Sequence, residues 1–452
     1  MKVNHNSPGH NQVTDSAANS TVEMRLTPLP DGTNRMTDLK IGEPNRRYWE
    51  YDERGAMVWQ AYPEVVTVPD GVSVIGHLRS PILGEIVIPP CVREIDELAF
   101  GAEFYTGDTY EWYALHTVHF SQGIVRIGRR AFYNCRNLDG VRLPKGLVDI
   151  EEEAFCLCLS LSRITIPESV EHVGPRAFRK CSSLNKVIFR DGIRRLGGYV
   201  FENDERLSKV ILPQTLERIG RGCFSGCASL TEIDLPESLT ELGGGAFENC
   251  SGLSSLRFKK DLVNAEEMHK ESPLRNCGAL TELYLDDGVT RADWIPSAPA
   301  LLEIKISPNH PKFTTLGGAL YSKDKKTLLR VPTGKTGEYS VPRGVVAIAP
   351  NAFRGCAGIT EVTLPSTLLT IGEGAFAGCA SLRSMDLPGR VTEVGARAFL
   401  GCTAPTSLYI SGSVRHVGDG ALEGCSALGK ITVSPENKAY RQEGGRLISV
   451  KN

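Results

Sequence analysis

Phenylalanine recurs every 23 residues, at Phe132, Phe155, Phe178, Phe201, Phe224 and Phe247, and again at Phe353, Phe376 and Phe399, with Leu422 completing the second series. A fixed period of this length leaves few folds open. Each repeat is one supersecondary unit, and neighbouring units must stack to bury what one alone cannot. A cysteine follows three residues later at Cys135, Cys158, Cys181, Cys227, Cys250, Cys356, Cys379, Cys402 and Cys425, and Asp204 takes its place once. The block ASLTEIDLPESLTELGGGAFENC, Ala228 to Cys250, shows the unit whole.

The physics of the unit is readable. Ile233 and Leu235 alternate with Asp234, the period of a strand with one buried face. Pro236 has no N–H to donate and ends that strand. Leu239 and Leu242 point back inward, and Gly243 is expected to turn the chain at positive φ. Phe247, Cys250 and Leu253, spaced i, i+3, i+6, predict a short helical or 3₁₀ turn. Stacked coils then carry internal ladders of Phe, Cys and Leu/Ile. Sixteen coils can be counted by their central strands, from Val66–Val68 to Ile431–Val433.

The pattern L-x-x-I-x-L-P-x-x-L-x-x-I/L-G-x-x-A-F-x-x-C resembles the bacterial leucine-rich repeats of the BspA-like type, over residues 64–450. The resemblance implies a leucine-rich repeat solenoid of mostly short parallel β-strands joined by short helical or 3₁₀ turns. The expected organisation is a disordered segment over 1–45, a hairpin cap over 46–63 and a first array over 64–306. A β-hairpin insert follows over 307–338, turning at Asp324-Lys325-Lys326, then a second array and truncated cap over 339–452. A solenoid needs its first open coil covered, and Trp49, Tyr51 and Trp59 are the expected cap. Members of the family are mostly non-catalytic surface or secreted proteins that bind host or bacterial partners, so adhesion is the implied role.

Chemistry beyond the repeat is sparse. Of 13 cysteines, ten sit at the repeat position, counting Cys277, where stacked equivalents about 5 Å apart and parallel cannot form unstrained disulfides. A spacing of 23 is no zinc knuckle either, so the thiols read as small buried hydrophobes. His116 and His119, three apart on a strand, face opposite ways. The G-x-G-x-x-A at Gly372–Ala377 is the ordinary repeat turn, and Gly334-Lys335-Thr336 lacks the upstream glycine of a phosphate loop. No H-E-x-x-H or G-x-S-x-G occurs. No catalytic residue, metal site or cofactor is expected. Charges of 51 Lys+Arg against 53 Asp+Glu do not suit a nucleic-acid binder, and no apolar run is long enough for membrane insertion. The first residues hold no apolar h-region, so no signal peptide is expected. The chain as it stands reads as cytoplasmic, or as surface or secreted if a leader is missing or a non-classical route is used.

What remains is surface. Residues 120–200 carry 14 basic and 8 acidic residues, and residues 231–303 carry 6 basic and 14 acidic. By alternation, Arg142, Arg163, Lys186 and Lys209 are expected to form a basic stripe on the strand-lined face. Glu232, Asp234, Glu282 and Glu303 form an acidic one, and Tyr284 and Tyr409 are further contact candidates on the same kind of strand. Phe100 to Phe132 exceeds the period by nine residues, and the extra stretch holds Phe104, Tyr105, Tyr110, Trp112 and Tyr113. Aromatics on a loop of this kind are common contact anchors. Three functions are compatible: a non-catalytic binder of a protein or glycan partner, an intracellular interaction scaffold, and an enzyme that uses the aromatic loop as a lid. The oligomeric state is not legible.

Overall fold

The computed structural model describes residues 2–5, 10–14, 21–41, 49–51, 57–59, 64–76, 78, 83–101, 115–264, 270–444 and 446–450. Among them the chain is a β-solenoid of about 15 turns, roughly 23 residues apart. It divides into two compact units, Met1–Cys250 and Ser251–Asn452.

In the first unit each coil meets the next along three lines. The first is a sheet of short parallel strands: Val72–Ile75, Glu94–Ile95, Arg126–Ile127, Asp149–Ile150, His172–Val173, Arg195–Leu196, Arg218–Ile219 and Glu241–Leu242. The second is longer and interrupted. Glu64–Thr67, Leu83–Ile88, Thr117–Phe120 and Gly140–Val141 form one sheet, and Arg163–Ile166, Lys186–Phe189 and Lys209–Ile211 another. Here the alternation works as expected: Ile164, Ile166, Val187 and Phe189 are buried, whereas Arg163 and Thr165 are exposed. In the next coil Ile233 and Leu235 are buried too, but the stretch makes no strand pairing. Burial of the two apolar side chains sustains the alternation there without the ladder.

The third line is the Phe-bearing segment, and it differs from the expected helical turn. Bonds of the i to i+3 kind are present, as from the Tyr133 N–H to the Arg130 carbonyl at 3.0 Å and from Cys135 to Phe132 at 3.2 Å. The helix cannot propagate, because the residues two before and two after Phe132 are left-handed, Arg130 at φ 55° and Asn134 at φ 63°. These are consecutive β-turns. The reversals release the N–H groups of Arg130, Phe132 and Asn134 to the Glu152, Ala154 and Cys156 carbonyls of the next coil, at 2.9, 2.7 and 2.8 Å. Gly, or Asn as at Asn203 and Asn249, often fills these positions, the residues that tolerate this conformation best.

The expected role of Gly243 is also corrected. Its φ is not positive, and the left-handed glycine of that coil is Gly245 at 63°. Gly243 is required by close approach: a Cβ there would lie 2.4 Å from the Arg221 nitrogen of the preceding coil.

The interior is laddered. Phe132 stacks on Phe100 and Phe155, both at 5.0 Å, and the series continues through Phe178, Phe201, Phe224 and Phe247 with neighbouring rings 5.3–5.6 Å apart. Most ladder thiols donate to the carbonyl of the Phe one coil back, as from Cys158 Sγ to Phe132 at 3.2 Å and from Cys181 Sγ to Phe155 at 3.2 Å, whereas Cys356 turns to the Val331 and Pro332 carbonyls. All thirteen cysteines are free. Burial pushes the Cys135, Cys158 and Cys181 thiols far up, and Cys156 to about 12.

Inside the segment expected to be disordered, Thr21–Pro28 and Asn34–Ile41 pair antiparallel, and Asn34–Met36 then joins Val72–Ile75 at the edge of the short-strand sheet. Met36 is fully buried. Polar composition suggested disorder, but an open sheet edge offers backbone partners that composition does not reveal. Trp49–Tyr51 pairs antiparallel with Met57–Trp59. The side chains of Trp49, Tyr51 and Trp59 lie outside the described residues, and so does their capping role.

In the second unit Ser255–Lys260, Glu282–Gly288 and Glu303–Ile306 form a parallel sheet. The insert adds three antiparallel strands, Phe313–Leu316, Ala319–Ser322 and Thr327–Arg330. Its second hairpin turns where Asp324 Oδ1 accepts the Lys326 N–H at 3.0 Å and Lys325 is left-handed. The last insert strand pairs parallel with Ala347–Ile348, so the insert starts a new short-strand sheet. That sheet continues through Thr370–Ile371, Glu393–Val394 and His416–Val417. Ser407–Ile410 lies between Met385–Asp386 and Lys430–Val433 on the other side of the coils, and Phe353, Phe376 and Phe399 stack at 4.6 and 5.2 Å.

Candidate functional site

The outward residues of the longer strands form rows, because parallel in-register pairing puts equivalent positions side by side. In the first unit Arg163, Lys186 and Lys209 are successive Cα partners, so three cations stand in one row. Beside them run Thr165, Ile188 and Ile211. Arg142 does not stand in the first row as expected: it lies 23 residues before Thr165 and belongs to the second. The pleat explains the difference, since Arg163 and Arg142 are offset by two positions within the coil. Glu232 and Asp234 take the two row positions of the following coil. Among the described residues, Arg142, Arg163, Lys186 and Lys209 make no ion pair and no side-chain hydrogen bond. Charge does not flag Ile188 and Ile211 as surface residues, but alternation does, since each stands two residues after an outward lysine.

The short-strand side of the same unit is electrostatically different. Cations bridge coils to carboxylates at the short strands, Arg218 to Glu241 at 2.7 Å and, one residue before a strand, Arg194 to Glu217, and also along the Phe-bearing turns, Arg130 to Glu153 at 2.5 Å and Arg179 to Glu202 at 2.6 Å. Arg126 reaches Glu94, Asp96 and Glu151. Much of the basic excess counted in the sequence is spent on this lattice. A shallow groove on this side is lined by Arg129, Asp149, Glu151, Glu152 and His172. Its Glu151 and Glu152 are held by Arg126 and Arg176, at 2.8 and 3.4 Å.

In the second unit Glu282 and Glu303 are register partners, as the acidic stripe requires, but Lys305 pairs with Glu282 and partly offsets Glu303. Its Nζ lies 2.6 Å from Glu282 and 3.8 Å from Glu303. The hydrogen bonds from Lys305 and Tyr284 hold the Glu282 carboxyl below its usual range. Tyr284 is clamped: Arg257 and Lys305 sit 5.3 and 5.2 Å from its ring centroid, and its hydroxyl donates to Glu282 at 2.8 Å. Tyr409 is the contrast. It projects from Ser407–Ile410 between Asp386 and Thr432 and is 42% exposed. The aromatic loop with Phe104, Tyr105, Tyr110 and Trp112 lies outside the described residues.

A family model described as BspA type leucine rich repeat region matches residues 107–208, 195–295 and 334–443, more than half of the chain. The chain belongs to this family. Among solved structures, this BspA-type chain is similar to a leucine-rich repeat protein from Bacteroides ovatus, with 27% identity, 90% of this chain and 92% of that one covered, and a TM-score of 0.51. One from Eubacterium ventriosum shares 23% identity over 62% and 70% of the two chains, at a TM-score of 0.41. A leucine rich cell surface protein from Faecalibacterium prausnitzii shares 22% over 95% and 96%, at 0.33. A comparison with curated proteins found no match. The BspA-type relatives are leucine-rich repeat proteins, a class that is generally non-enzymatic. Among the described residues no group of three or more His, Cys, Asp or Glu is arranged to hold a metal ion. No helix among them is long and apolar enough to cross a membrane.

Proposed function

We propose that this BspA-type repeat chain is a non-catalytic binding protein that engages a protein or glycan partner through the outward rows of its longer strands. The observation that carries this reading is the contrast between its two sides. In the first unit the short strands and the Phe-bearing turns are laced by inter-coil ion pairs, whereas Arg163, Lys186 and Lys209 stand unpaired beside Ile211 on the longer strands, and in the second unit Tyr409 is exposed, in each case on a backbone already fixed by pairing. A preordered surface loses little conformational entropy on binding. An adhesin-like role outside the cell is the fuller form of this proposal. The free state of all thirteen cysteines favours a second reading, an intracellular scaffold, because free thiols are commonest in reducing compartments.

The test is binding of the full chain to arrays of immobilised proteins and glycans, with Tyr409→Ala and Lys186→Glu as separate variants. Specific binding weakened by either variant supports the reading, and binding indifferent to both places the site elsewhere. Protease treatment of intact host cells separates the two compartments: digestion favours the adhesin-like form, and protection favours the scaffold.

A further inference from the structure

We infer that the outward face of Arg163–Ile166, Lys186–Phe189 and Lys209–Ile211 docks an acidic, partly apolar segment of a partner protein. This rests on the binding-protein reading and deepens it by naming the partner's chemistry. Three cations in adjacent, in-register strands repel one another. The fold does not lack the means to prevent this. Elsewhere in the same unit a carboxylate 23 residues on answers Arg194 and Arg218 at the short strands and Arg130 and Arg179 on the Phe-bearing turns. On the longer strands the position 23 residues after Arg163 is Lys186, and the next is Lys209. The charge is left for something outside the chain to neutralise.

The second row decides between classes of polyanion. Ile188 and Ile211 lie beside the lysines, and Ile211 is 42% exposed. None of the outward residues of these three strands is aromatic. Sugar rings are held by stacking on aromatic faces, which this patch does not offer. Exposed aliphatics gain by covering apolar side chains. Cations in one row and aliphatics in the next fit a segment that presents carboxylates along one line and Leu, Ile or Val along the other. The patch is bounded: Gly140 precedes Arg163 in the row, and Glu232 follows Lys209. The cationic run therefore spans three coils.

The experiment pans short random peptides displayed on phage against the immobilised full chain, then measures enriched peptides on wild type, Lys186→Glu/Lys209→Glu and Ile211→Ser. The expected result is enrichment of Asp/Glu with aliphatics. Affinity should fall about tenfold or more in the double variant and with added salt, and also fall in Ile211→Ser. Melting of each variant guards against misfolding, and Lys186→Gln/Lys209→Gln replaces the double variant if that one melts early. Enriched peptides that are not acidic, or that bind the double variant equally well, overturn the acidic-partner inference and leave the binding reading standing. No enrichment at all, with no binding on the protein and glycan arrays, overturns both. Retention on heparin that the double variant abolishes, without acidic peptides, assigns the patch to a sulfated glycan and overturns the choice made here. Self-association in sedimentation, lost in the double variant, assigns it to a second copy with the same consequence.

Discussion

Asp204 Oδ1 accepts the backbone N–H of Cys181 at 2.7 Å, from a position that is a thiol in the coils before and after it. The Asp204 side chain is fully buried and its Oδ2 has no hydrogen-bond partner. The equivalent thiols donate to the Phe carbonyl 26 residues earlier, which for Asp204 is that of Phe178. A protonated carboxyl has a hydrogen to offer along this line and an ionised one has not. Burial pushes the carboxyl well above its usual range. The folded state therefore holds a proton that the unfolded chain gives up near pH 4, and stability falls as pH rises from there through the folded value. Asp204→Asn should match wild type near pH 4 and melt at higher temperature at pH 8. Parallel melting curves at both values would show the carboxyl to be ionised in the fold.

Phe224 stacks on both neighbours, Phe201 and Phe247, at 5.4 Å each. Phe224→Ala should cost about 3–5 kcal/mol, the range for emptying a buried aromatic site. Because a repeat array can open locally, urea unfolding should be followed by hydrogen exchange as well as by circular dichroism. Loss of protection is expected to centre on the coils of Phe201 and Phe247. An unchanged unfolding midpoint would contradict the ladder as a source of stability.

A Cβ at Gly220 would lie 2.6 Å from the Gly197 carbonyl carbon, whereas one at Gly389 would meet nothing within 4 Å. Gly220→Ala should therefore destabilise by about 1–3 kcal/mol, as overpacking does. Gly389→Ala should be neutral or slightly stabilising, since it only restricts the unfolded chain. Thermal melting of the two variants side by side checks the contrast.

Cys91 and Cys425 are half-buried and the remaining cysteines buried. Native protein treated with an alkylating reagent at neutral pH should be modified first at Cys91, because burial raises the Cys425 thiol and raises those of the ladder further. Mass spectrometry of the modified peptides reads the order directly. Rapid labelling of Cys158 or Cys181 in native protein would mean that the ladder opens.

The repeat, the inward alternation and the thiols as core residues were all legible before any coordinates, because each depends on spacing along the chain. The candidate face was legible only in part. Residues such as Lys186 and Lys209 share a row whenever the period is kept, so their adjacency follows from counting. Whether a charge in such a row is free or answered does not: Lys305 pairs with Glu282 and reaches towards Glu303 through side-chain geometry that counting cannot supply.

From its sequence alone this protein is determined to be a stack of 23-residue coils with Phe, Cys and aliphatic side chains inside, because a period that short can bury its apolar residues only against copies of itself. The tertiary structure decided the rest. It replaced the helical turn by consecutive β-turns, since left-handed residues on both sides of the Phe direct N–H groups to the next coil. It made Gly243 a point of contact between coils. In the first unit it also assigned ion pairs to the short strands and the Phe-bearing turns and left Arg163, Lys186 and Lys209 of the longer strands unpaired. Those outcomes depend on how closely neighbouring coils approach and where long side chains reach, and both are fixed only when the coils stack.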